Sequence, residues 1–159
     1  MAVIQYRLDG RMLHGQVSNF ARSLNIDEFV VVNEKTAQDP TQVMLLELAA
    51  LNADVDVVSP RQAFELLNSS ELDDYRVMVV FKQIEDAVEL VELGYEMDEL
   101  CISGMYASDR ENKVKVEACL FVGEQDREAF RFLEEHGVLL THQISPEYNK
   151  KRVRDLVQY

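Results

Sequence analysis

From its first residues the chain alternates between short apolar runs and longer stretches whose apolar residues recur every three or four positions. Two of the runs, residues 29–32 (Phe-Val-Val-Val) and 76–81 (Arg-Val-Met-Val-Val-Phe), have almost no polar interruption. A strand with one face in water alternates apolar with polar, so these runs suit strands covered on both faces. The stretches between have the periodicity of amphipathic helices. Strand followed by helix, repeated, requires parallel strands joined by helical crossovers. The expected fold is therefore α/β: an open, mostly parallel sheet with helices on both faces, as a single domain over residues 1–159.

Local signals mark the elements. A first strand over residues 2–8 ends at the Asp9-Gly10 turn, and Gly15 or Gln16 opens a helix running to about Ser23. Asp39-Pro40 and Ser59-Pro60 are each a capping residue followed by proline at the first helical position. They predict helices to about Ala50, with Val43, Met44 and Leu48 toward a core, and to about Asn68, with a strand at 55–58 between them. A helix from Ile84 to Leu93 is stopped by Gly94. It has Ile84, Ala87, Val88 and Val91 on one face, and Glu85, Glu89 and Glu92 on a face that is either solvated or open to a basic partner. A strand follows at 100–102. Residues 103–123 read as irregular or antiparallel, with one or two short strands within 113–122. A helix from Glu124 to Gly137 turns Ala129, Phe130 and Leu133 inward. The last strand, 138–144, leads to a short helical tail.

Charge narrows the function. The net charge of −13 excludes nonspecific binding to nucleic acid or to an anionic membrane surface. Residues 1–22 run against this trend, with Arg7, Arg11 and Arg22 against Asp9 alone. A cationic opening on an acidic chain is where an anionic ligand is to be sought. The basic segment from Lys150 to Arg154 reads as solvated charge near a terminus. Cys101 and Cys119 have no metal-ligand or disulfide spacing and read as buried, unreactive thiols. There is no secretory-signal pattern and no apolar run of the ~18 residues a membrane span needs, so a cytoplasmic protein is expected.

In open parallel sheets, ligands collect at the carboxyl ends of the strands. The first strand-to-helix loop holds Asp9, Arg11 and His14. His14 directly precedes a helix whose first backbone N–H groups point at whatever is held there. Arg11 could hold two phosphate oxygens at once. Gly15 would let the backbone come close, and Gln16 could donate to a phosphate oxygen. Asp9 could orient Arg11, or accept an N–H from His14 and so make the opposite ring nitrogen the nucleophile. Arg7 could balance Asp9 or add to the positive field. The same residues also suit an ordinary loop histidine beside a common turn, and spacing alone leaves both readings open. Neither a Gly-x-x-x-x-Gly-Lys-Ser/Thr nor a Gly-x-Gly-x-x-Gly loop is present to support nucleotide binding, and no set of histidines has metal-ligand spacing. His136, before Gly137, suits a helix C-terminus, and His142 suits packing in the last strand.

The segment Arg7-Leu-Asp-Gly-Arg-Met-Leu-His-Gly-Gln-Val17 resembles the signature of the sorbose/mannose-type IIB subunits of the bacterial phosphoenolpyruvate:sugar phosphotransferase system. The likeness continues in order through Val30-Val-Val-Asn33, Asp39-Pro40, Met44-Leu-Leu46, Ala63-Phe-Glu-Leu-Leu67, Lys82, Glu85-Asp-Ala87 and Ser103-Gly-Met105. It implies a phosphoryl carrier with an open, mainly parallel sheet and no metal or organic cofactor. His14 would take phosphate from a IIA phosphohistidine and pass it to a sugar entering through the membrane subunits IIC and IID. The carrier would lie at the inner face of the membrane through those subunits. Asp9, Arg11, Gly15 and Gln16 would shape the site, with Arg7, Asn33, Lys82 and Ser103 as further candidates at strand ends. Members are usually written as phosphorylated on Nδ1. Many relatives have a histidine where this chain has Tyr106. The sugar and the oligomeric state, a homo-oligomer included, stay open. A regulatory module using the same histidine is a second reading, and a nucleotide- or flavin-binding protein of similar architecture a third.

Overall fold

The computed structural model describes residues 3–107 and 112–159. Its strands in chain order are β1 (Val3–Asp9), β2 (Glu28–Val32), β3 (Asp54–Val58), β4 (Val77–Phe81), β5 (Glu99–Gly104), β6 (Val114–Glu117), β7 (Leu120–Val122), β8 (Leu139–His142) and β9 (Lys151–Arg152). The helices are α1 (Gly15–Leu24), α2 (Glu34–Ala37), α3 (Pro40–Ala49), α4 (Pro60–Asn68), α5 (Ile84–Glu92) and α6 (Glu124–Glu135). One sheet has the order β3-β2-β4-β1-β5-β8-β9, and β6 and β7 form a separate antiparallel hairpin. All neighbours in the large sheet are parallel except β8 and β9. The expected open, mostly parallel sheet is thus observed.

Strand pleating divides the apolar runs between two cores. Phe29 and Val31 of β2, with Met78 and Val80 of β4, pack under α1 and α3 through Val17, Phe20 and Leu46. Val30 and Val32, with Val77, Val79 and Phe81, face α4, α5 and α6 through Leu67, Leu90 and Phe130. Within β2 from Phe29 and throughout β4 every position is apolar because both faces are covered. The caps act as expected. Asp39 accepts from the Thr41 and Gln42 amides, and Ser59 and Gln62 form a reciprocal capping box.

Three expectations need correction. On α3 the buried side chain is Leu46, while Val43 is half-buried and Met44 and Leu48 are 54% and 68% exposed. Apolar residues surround this helix on most sides, so periodicity cannot fix its phase, and contact with the sheet does. The helical tail begins instead with β9, antiparallel to β8, before a single 3₁₀ turn at Val153–Asp155. Three of its four basic residues are in ion pairs: Lys150 with Glu99 and Lys151 with Glu117, each at 3.0 Å, and Arg154 with Glu134. Cys101 is fully buried, but Cys119 is only half-buried, on the β6–β7 turn with a φ of 63°. The single-turn α2 had no sequence expectation. Among the described residues no helix is long and apolar enough to cross a membrane.

Candidate functional site

β1 lies in the middle of the sheet between β4 and β5, and the loop after it leads back over the β2 side into α1. This is the switch point at which open sheets leave a crevice. The loop is tight. The Met12 amide donates to the Asp9 carbonyl at 2.9 Å, and Met12 takes a left-handed φ of 59°. Such a conformation costs a non-glycine side chain some energy, and the buried Met12 and Leu13 side chains hold it in place. His14 follows as the N-cap of α1, in extended conformation and with no side-chain cap bond. The first turn of α1 contains no acidic residue, so its opening amides and their dipole are left for an anion.

Instead of capping the helix, the His14 ring turns to Asp9. Nε2 lies 2.6 Å from Asp9 Oδ2. Asp9 is fully buried, and its other oxygen accepts the Arg11 amide at 2.9 Å. Ser103 Oγ, from the end of β5, lies 3.0 Å from Asp9 Oδ2 and 3.2 Å from the Leu8 carbonyl. A carboxylate can only accept, so in the neutral imidazole the proton sits on Nε2 and Nδ1 keeps its lone pair. Asp9 thus contacts both residues considered for it: His14 through its ring, and Arg11 through its backbone amide and, more loosely, through Nε at 3.8 Å.

The other sequence candidates divide. Gly15 is the first residue of α1, and nothing stands within 4 Å of where a Cβ would be, so the approach there is open. Gln16 is the second residue of α1, and the expectation for its side chain falls outside the described residues. Lys82 stands across the strand ends in a cleft of about 300 Å³ with Gly10, Gly104, Tyr106 and Lys113. Arg7 is fully buried, with its guanidinium 3.7 Å over the Phe20 ring and donating to the Gln143 carbonyl at 2.7 Å. Burial pushes its pKa down, opposed by the Cys101 thiol and Asp9. It therefore acts on Asp9 through the field alone. Asn33 is turned away from the loop. Its Oδ1 accepts from the Thr36 amide and hydroxyl, and its Nδ2 donates to Asp86 at 3.0 Å, tying β2 to α5. Burial pushes the Asp86 carboxyl up to about 6, against the pull of Asn33 and the Gln83 amide.

Two neighbours had no assigned place in the sequence reading. Lys113 enters the cleft from the hairpin and pairs with Asp126 at 3.3 Å. Tyr106 lies over Gly10 and Gly104, with the Arg11 guanidinium 5.2 Å from its ring centre. Paired glycines at two neighbouring strand ends, Asp9-Gly10 and Ser103-Gly104, are the sequence signal for that close approach. His136 and His142 are structural: each holds a backbone carbonyl through Nδ1, those of Phe132 at 2.8 Å and Ile102 at 2.7 Å.

Known proteins resemble the chain in sequence and fold. A family model described as the sorbose subfamily IIB component of the PTS system matches residues 3–159. The chain is 29% identical over 153 residues to the mannose-specific EIIAB component of Escherichia coli K12, spanning 95% of this chain and 47% of that one. It thus spans about half the length of that longer relative. It is 28% identical over 142 residues to the sorbose-specific EIIB component of Lacticaseibacillus casei, covering 88% of this chain and 85% of the relative. The crystal structure of the IIBSor domain of the sorbose permease from Klebsiella pneumoniae superposes with a TM-score of 0.89 at 25% identity, over 98% of this chain and 95% of that one. The chain belongs to the sorbose-subfamily IIB components of the PTS system.

Proposed function

We propose that residues 1–159 act as one IIB carrier in which His14 Nδ1 accepts a phosphoryl group from a IIA phosphohistidine. The carrier then delivers it to a sugar entering through IIC and IID, at the inner face of the membrane. The observation that carries this reading is the 2.6 Å contact between His14 Nε2 and buried Asp9. With the proton fixed on Nε2, the Nδ1 lone pair attacks phosphorus in line as the bond to the donor nitrogen breaks and its electron pair returns to the donor ring. Arg11 and the opening amides of α1 share the charge on the equatorial oxygens in this reading. The phosphorylated ring is left with a proton on Nε2 facing a carboxylate. That proton makes the imidazole a better leaving group when a sugar hydroxyl attacks. Asp9 thus serves both halves of the cycle from one position.

The test is incubation with phosphoenolpyruvate, Enzyme I, HPr and a IIA donor, followed by location of the acid-labile label. Label on His14 is expected, and His14→Gln should abolish it while leaving the thermal melt of the fold unchanged. A His14→Gln chain that still accepts phosphate would remove His14 from the role. Adding membranes with IIC and IID should then yield sugar phosphate.

A further inference from the structure

Tyr106 stands where the ends of β1 and β5 meet. A Cβ on Gly104 would come 2.6 Å from its ring and hydroxyl, and one on Gly10 would come 3.0 Å from Cδ2. Among the described residues the glycines with positive φ are Gly94 and Gly137, so neither Gly10 nor Gly104 is needed for an unusual backbone turn. What both supply is room for this ring. The Gly10 amide donates to the Gly104 carbonyl at 3.0 Å, so the surface under the ring is a hydrogen-bonded pair of strand ends. The Arg11 guanidinium lies 5.2 Å from the ring centre, within the range of a cation–π attraction. Arg11 is half exposed, and a long side chain in water loses rotamer freedom when it closes on an anion. A ring anchored on backbone reduces that loss before the anion arrives. Burial and the nearby Asp9 carboxylate push the Tyr106 phenol up, so the ring faces Arg11 as a neutral aromatic.

We propose that Tyr106 is a positioning residue for phosphoryl transfer: seated on Gly10 and Gly104, its ring stacks with Arg11 and holds the guanidinium ready for the phosphoryl oxygens at His14. The inference rests on the carrier reading above. The ring carries the role and the hydroxyl does not, so phenylalanine should serve in its place and an aliphatic residue of similar bulk should not.

The experiment is single-turnover transfer of radiolabelled phosphate from a phosphorylated IIA donor to the full chain, its Tyr106→Phe and Tyr106→Leu variants, and Gly104→Ala. In the same proteins, NMR follows the Arg11 Nε–H resonance. Tyr106→Phe should keep the rate at saturating donor. Tyr106→Leu should lower it about two- to fivefold with half-saturation unchanged, the size of a partly exposed cation–π contact. The Arg11 resonance should keep its ring-current shift in Tyr106→Phe, lose it in Tyr106→Leu and change it in Gly104→Ala. Gly104→Ala, which displaces the ring without removing it, should slow the intact chain similarly but have no further effect on Tyr106→Leu. That variant also decides the matter if leucine at 106 fails to fold. Transfer by Tyr106→Leu at the full rate, equal slowing by Phe and Leu, or an Arg11 resonance indifferent to the ring would each overturn the proposal. Absence of label on the unaltered chain is a separate result: it overturns the carrier reading and the role of Tyr106 in transfer with it.

Discussion

Two carboxylates are buried at opposite ends of the sheet, Asp9 where β1 leaves it and Glu28 where β2 enters it. Asp9 is ringed by donors: the His14 ring, the Arg11 amide and the Ser103 hydroxyl. Glu28 faces its own kind. Its Oε1 has no partner, its side chain meets that of Asp56, and Asp54 lies beside it on β3. Burial first, then the bond and charge of Asp56, push the Glu28 carboxyl up to about 8. Burial alone therefore does not mark a functional acid. Asp9 is buried together with the groups that give its charge a task, whereas Glu28 is buried at a cost to stability.

Substitution should separate the two ends. Asp9→Asn keeps the size of the side chain but lets its amide donate to Nε2, which favours the wrong tautomer of His14. Transfer should fall about 10²- to 10⁴-fold by rapid-quench labelling, with the fold retained. A variant within tenfold of the intact chain would put Asp9 outside the chemistry. Glu28→Gln should have the opposite profile: unchanged transfer and a gain of about 1–3 kcal/mol in urea melts at pH 8. The sign follows from linkage. As pH rises from about 4.5 toward 8, the unfolded chain releases a proton that folded Glu28 keeps, so stability is lost across that window and levels off above it. The gain from Glu28→Gln should therefore shrink toward pH 4.5, and a gain independent of pH would refute the assignment. Ser103→Ala should cost about 1 kcal/mol in the transfer barrier, the worth of one ordinary hydrogen bond, read as a rate several-fold lower. Smallest, Asp56→Asn should flatten the fall in stability between pH 5 and 8 by removing a group that holds the Glu28 proton. An unchanged slope would point to burial alone.

The ends also differ in how far they could be read from sequence. Asp9, Arg11, His14 and Gly15 lie within seven consecutive residues, and a strand, a turn and a helix start are local signals that place them together. That Asp9 meets both His14 and Arg11 was not a local signal, because it depends on how the ring rotates inside a packed loop. Ser103 and Tyr106 arrive from a strand more than ninety residues away, paired with β1 only through the topology of the sheet. Glu28 gave no warning, since an acid at the start of an apolar run looks like a solvated strand end. The phase of α3 and the pairing of β9 failed for a related reason. Each is decided by what the element packs against, and neither helix periodicity nor tail charge encodes the partner.

The Arg7 guanidinium, under Asp9, is held by the carbonyl of Gln143, and the Gln143 side chain in turn donates to the Tyr148 carbonyl at 2.8 Å. The segment beyond β8 therefore completes the floor beneath the His14 loop. A fragment of this chain ending before Gln143 would have the whole His14 loop and yet bury a cation without its shortest hydrogen bond, leaving the longer contacts to Gln5 and Cys101. In synthesis from the ribosome, the first strand made must wait for the last part of the sheet before Arg7 gains its backbone acceptor, so the ground under the His14 loop is finished only with completion of the fold.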